Sequence, residues 1–98
     1  MDNNITINQV TWRGIIIEVS YFPKKWNSIA HIEVRSIKPE KAQLPITETG
    51  YKSHFLPIGV IESYNMTATD FVMEWLDRES QTAKWKNLEE ATKQLSLF

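Results

Sequence analysis

Ninety-eight residues and 11.5 kDa fit one domain. Hydrophobic residues make up 42%, charged residues 23% and aromatics 11%, with only 3 Gly and 4 Pro, which excludes a disordered, collagenous or repetitive chain. Eleven Lys and Arg against 12 Asp and Glu leave a formal net charge of -1, which removes the simplest argument for a nucleic-acid binder, and the absence of cysteine excludes disulfide staples, thiolate zinc sites and cysteine nucleophiles.

The start, Met1-Asp2-Asn3-Asn4, has neither the basic nor the apolar region of a signal peptide. The longest aliphatic run, Ile15-Ile16-Ile17, stops at Glu18, far short of a membrane span. A cytoplasmic protein without membrane contact is the expectation.

β signals come first. Ile5 to Thr11 is rich in β-branched residues, and Arg13-Gly14 interrupts it before Ile15 to Tyr21, so a tight turn or a Gly bulge joins two strands. In the second strand Ile15, Ile17, Val19 and Tyr21 share the face expected to be buried. Pro23 is expected to end it. After the polar loop Lys24 to Ser28, Ala30, Ile32 and Val34 alternate with His31, Glu33 and Arg35, which predicts a third, half-buried strand. Charge selects the hairpin register: pairing Val19 with Val34 and Tyr21 with Ile32 sets Glu18 opposite Arg35, whereas a two-residue slide sets Glu18 against Glu33.

Lys38 to Gly50, with Pro39 and Pro45, reads as the longest loop. Tyr51 to Leu56 predicts a short strand stopped by Pro57, and Ile58 to Ile61 a further edge strand. Thr67 with Asp70 three residues later forms a capping box, and Phe71, Val72, Trp75 and Leu76 then make one apolar stripe. A break at 80–82 precedes a more polar helix carrying Ala83, Trp85, Leu88 and Ala91. The fold class is therefore α+β: a mainly antiparallel sheet of three to five strands from residues 5–62, with C-terminal helical segments from 67–93 packed on one face.

Chemical signals are sparse. His31 and Glu33 share a strand face at a spacing that suits two metal ligands, but no third ligand accompanies them, so neither a metal nor another cofactor is expected. Ser53 and His54 are adjacent in a strand, point to opposite faces and cannot act as nucleophile and base. With glycines isolated at 14, 50 and 59 there is no phosphate-cradling loop, and no catalytic residue is assigned. Lys24, Lys25 and Trp26, echoed by Lys84-Trp85-Lys86, could stack a base and neutralise phosphates, although Trp85 serves equally well as a packing anchor.

The chain ends Gln94-Leu95-Ser96-Leu97-Phe98. This pentapeptide resembles the bacterial sliding-clamp-binding motif, Gln-Leu-Ser/Asp-Leu-Phe, at all five positions. The resemblance implies that Gln94 hydrogen-bonds a polar subsite while Leu97 and Phe98 enter an apolar pocket, with Leu95 a lesser contact. Burying Leu97 and Phe98 would supply roughly 3–6 kcal/mol before the tail is ordered, which implies weak, exchangeable binding. The alternative is that the last turn folds back into the core. Residues 94–98 are thus separated, as a binding peptide, from a 1–93 domain. More distantly, Trp12-Arg13-Gly14 and the segment Ile46 to Phe55 are similar to small uncharacterised proteins of bacteria and their mobile elements, which implies no activity. The expectation is a non-enzymatic adaptor or regulator with a protein partner, the DNA polymerase sliding clamp. The alternatives are a protein-binding inhibitor encoded by a mobile element, for example of a host defence system, acting through its sheet face or the Lys38–Gly50 loop, and a weak single-strand binder using Lys24, Lys25 and Trp26.

Overall fold

The computed structural model describes residues 5–95, with side chains as far as Ala91. Four strands, β1 (Thr6–Trp12), β2 (Ile15–Lys25), β3 (Ile29–Lys38) and β4 (Tyr51–Leu56), form one antiparallel sheet in the order β1-β2-β3-β4. Three helices follow: α1 (Val60–Ser63), α2 (Ala68–Glu79) and α3 (Ala83–Leu95). The architecture is α+β, with the helices on one face of the sheet.

The hairpin takes the register that the charges select. Val19 pairs with Val34, Tyr21 with Ile32, Glu18 with Arg35 and Ser20 with Glu33. Ile17, Val19 and Tyr21 of β2 and Ala30, Ile32 and Val34 of β3 are buried on the helix side, against Val72 and Leu76 of α2. The capping box forms as the spacing predicts. Thr67 Oγ1 accepts from the Asp70 amide at 3.1 Å, and the Asp70 carboxylate accepts from the Thr67 amide at 3.3 Å.

Two expectations are corrected. Pro23 does not end β2, because the ladder with β3 slips between Phe22 and Lys25, and a residue without an N–H sits in that irregular stretch at no cost in hydrogen bonding. Residues 58–61 are not a strand. Gly59 takes φ +88°, the Ser63 amide donates to the Gly59 carbonyl at 3.0 Å, and the chain turns into α1 to bury Ile61. A four-residue apolar run suits either element, so its neighbours Pro57 and Gly59 decide.

The Trp12-Arg13-Gly14 segment ties the sheet to the last two helices. Arg13 and Gly14 both have positive φ, 48° and 84°, as a two-residue hairpin turn of the primed type requires. The Trp12 indole donates from Nε1 to Asp77 Oδ1 at 2.9 Å, and its ring packs 5.9 Å from that of Trp85. Arg13 reaches Ser80 Oγ at 3.2 Å and Glu89 Oε2 at 2.9 Å. The Trp85 Nε1, in contrast, is buried without a hydrogen-bond partner among the described residues. The two indoles therefore predict opposite responses to the same change. Trp12→Phe loses a hydrogen bond to a carboxylate and costs about 2 kcal/mol, whereas Trp85→Phe sheds an unsatisfied donor, offsets its lost ring contact and stays within about 1 kcal/mol of wild type in urea unfolding.

Candidate interaction surface on the open sheet face

The strand registers decide which side chains meet on the side of the sheet away from the helices. Phe22 pairs with His31, and His31 with Phe55. One row across three strands therefore carries three rings: His31 stacks on Phe55 at 4.2 Å with an 8° tilt, and on Phe22 at 5.5 Å. The next row, Ile7, Ser20, Glu33 and Ser53, begins with an isoleucine that is 62% exposed. Beyond it lie Glu18, Arg35 and Tyr51, with the Arg35 guanidinium 5.1 Å over the Tyr51 ring. Ile5, Tyr51 and Phe55 are all exposed.

Sequence alternation alone places His31 on a solvated face. It lies on that face but is only 3% exposed, because Phe22 and Phe55 cover its ring and polar neighbours close its edges. Nδ1 is 3.0 Å from Lys25 Nζ and Nε2 is 2.6 Å from Ser53 Oγ, with Glu33 Oε2 4.0 Å away. A lysine ammonium can only donate, so Nδ1 accepts, the ring proton resides on Nε2, and Nε2 donates to Ser53. That polarity is the reverse of a serine nucleophile, whose hydroxyl must donate to the imidazole. Ser53 and His54 point to opposite faces as expected. His54 packs between the sheet and α2, 4.7 Å from Trp75 and 6.1 Å from Phe71. Among the described residues no group of three or more His, Cys, Asp and Glu side chains gathers to hold a metal ion.

Burial, followed by the Lys25 charge, lowers the His31 pKa, with Glu33 opposing; burial and Lys52 lower that of His54. Both imidazoles are harder to protonate folded than unfolded, so their contribution to stability is complete above the ordinary histidine pKa of about 6.5 and is lost as pH falls through the lowered values. Unfolding free energy is expected to fall on acidification below about pH 6.5, and His31→Gln to reduce that slope in urea titrations at a series of pH values.

The hairpin tip carries the sequence candidates Lys24, Lys25 and Trp26. Lys25 Nζ lies 4.9 Å over the Phe22 ring and 5.2 Å over that of Trp26. Trp26 is 73% exposed and takes φ +56°, a left-handed conformation costly for a bulky residue, with no burial to offset it. Ile5 joins Phe22, Pro23 and the three tip residues around a shallow cleft of about 180 Å³. In the second basic-aromatic cluster, Trp85 is buried against Trp12 and is a packing anchor. The alternation pattern missed Tyr51, Phe55, Phe22 and Ile7 as a group. Each looks like one exposed apolar residue, and only the registers assemble them.

The pentapeptide side chains Gln94, Leu95, Leu97 and Phe98 lie outside the described residues, although the bounds of α3 include the backbone of the first two. No helix among the described residues is long and apolar enough to cross a membrane. Residues 5–85 match the family model described as the KlcB third domain. No curated protein and no solved structure matches the chain.

Proposed function

The chain belongs to the KlcB third-domain family, a plasmid-associated one, and from that premise we propose that it is a non-enzymatic, cytoplasmic protein-binding module whose open sheet face is the contact surface. The observation that carries this reading is the ring row on the open face, in which the exposed Phe55 and half-buried Phe22 flank the buried His31, continued by Ile5, Ile7 and the strained, exposed Trp26. Exposed isoleucines cannot stack on bases, and Glu18 and Glu33 on the same face repel phosphates, so a polypeptide suits it better than a nucleic acid. The fitting partner presents an apolar strip with a carboxylate at the Lys24–Lys25 end. Wild type, Phe55→Ser and Trp26→Ser serve as baits in plasmid-bearing cells. A protein retained by wild type and lost by both variants supports the reading, and equal retention by all three sinks it. Salt-sensitive binding of a single-stranded oligonucleotide would instead assign the face to nucleic acid.

The tail supports a second contact, with the bacterial sliding clamp, through Gln94, Leu95, Leu97 and Phe98. What supports it is that all five motif positions match, in a segment beyond the residues 5–85 that match the family model. Purified clamp should retain the full chain and release a chain shortened by Gln94–Phe98. Equal retention of the two contradicts it.

A further inference from the structure

β1 is an edge of the sheet, and its ladder with β2 runs through seven consecutive pairs, Thr6↔Tyr21 to Trp12↔Ile15, without a bulge. Edge strands are ordinarily protected by a charge, a proline, a bulge or a covering element. Ile5 to Trp12 contains no charged residue, no proline and no glycine. Thr6, Ile7, Asn8 and Gln9 are all exposed, so this half of the strand is uncovered on both faces, and only Val10 and Trp12 join the core. The opposite edge is managed differently: β4 carries Lys52 and is closed by Pro57. Among the described residues, one edge is guarded and the other is left open.

We infer that the β1 edge pairs with β1 of a second copy, antiparallel about a twofold axis near the middle of the strand, to make a continuous eight-stranded sheet. A twofold brings the residues nearest its axis, Asn8 and its neighbours, close to their own counterparts, so a charge there would meet its like, and an uncharged strand is the kind that can pair with its own copy. Backbone N–H and C=O groups left unpaired at the edge are satisfied, and the exposed Ile5 and Ile7 gain cross-strand neighbours. This contact shares Ile5 and Ile7 with the outer face but none of the rings Phe22, His31 and Phe55, so substitutions at Asn8 and at Phe55 test the two separately.

Sedimentation of the full chain over a concentration series is expected to give the mass of two chains at the upper end. Asn8 is exposed and lies on the helix-side face, so Asn8→Lys leaves both the outer face and the fold intact, the latter checked by circular dichroism. Asn8→Lys and Asn8→Glu should each be monomeric, because like charges meet across the axis, and an equimolar mixture of the two should recover the dimer. Phe55→Ser should leave the mass unchanged. A single-chain mass at every concentration, a dimer that survives Asn8→Lys, or a dimer abolished by Phe55→Ser would each overturn the proposal.

Discussion

Gly50→Ala is expected to destabilise the domain by about 3 kcal/mol or more, a drop in Tm of roughly 12–25 °C. Gly50 has φ +80°, where an alanine pays about 1–2 kcal/mol for its Cβ. At this position a Cβ would also lie 2.6 Å from the backbone Cα and carbonyl carbon of Lys41 and 2.9 Å from the carbonyl oxygen, so the main chain itself has to move. The loop between β3 and β4 depends on that close approach. The Ser36 amide donates to the Gly50 carbonyl at 2.8 Å, Ser36 Oγ donates to the Ala42 carbonyl at 2.6 Å, and Thr47 Oγ1 donates to the Tyr51 carbonyl at 2.7 Å. Displacing it withdraws the buried Leu44 from the core. Gly14 and Gly59 provide the control, since φ is +84° and +88° there but no atom lies within 4 Å of the added Cβ. Gly14→Ala and Gly59→Ala should each cost only about 1–2 kcal/mol in the same urea unfolding measurement.

Leu76→Ala is expected to cost about 3–4 kcal/mol, within the range seen when a fully buried leucine leaves a cavity. Leu76 is 0% exposed and, with Val72, forms the part of α2 that seals the helix side of the sheet. The end of the helix is tied to the β1–β2 turn by the Trp12–Asp77 and Arg13–Ser80 hydrogen bonds, so the void does not close by a simple shift. Phe55→Ala makes the informative comparison. Its ring is as bulky but lies on the open face, 45% exposed, so its removal should cost no more than about 1 kcal/mol in thermal or urea unfolding. The two faces thus separate residues kept for stability from residues available for contact.

Much of this division was legible in the sequence. Period-2 alternation in β2 and β3, together with the opposed charges of Glu18 and Arg35, was sufficient to select a register out of several with equal apolar matching. The Thr67–Asp70 spacing marked a helix start to the residue. What stayed hidden depends on contacts distant in the chain. Nothing local marks Leu44 as core, because its burial comes from a loop held by Gly50 and Ser36. Nothing local brings Ser53 to His31, 22 positions away, because that meeting depends on the β3–β4 register. The apolar residues of the open face were visible singly and became a surface only when four strands were aligned. The segments Trp12 to Gly14 and Ile46 to Phe55 prove to be structural fasteners, one securing the helices and the other the long loop.

We propose that the face bearing Phe55 is where this domain meets its protein partner. The most direct test is a photoreactive benzoyl-phenylalanine placed at position 55 and, for comparison, at Tyr64, which is 66% exposed but follows α1 on the helix side. Irradiation in plasmid-bearing bacterial cells is predicted to give one discrete adduct with another protein from position 55, absent from position 64 and lost when Trp26→Ser is added. Equal labelling from both positions, or an adduct from 64 alone, would contradict the account.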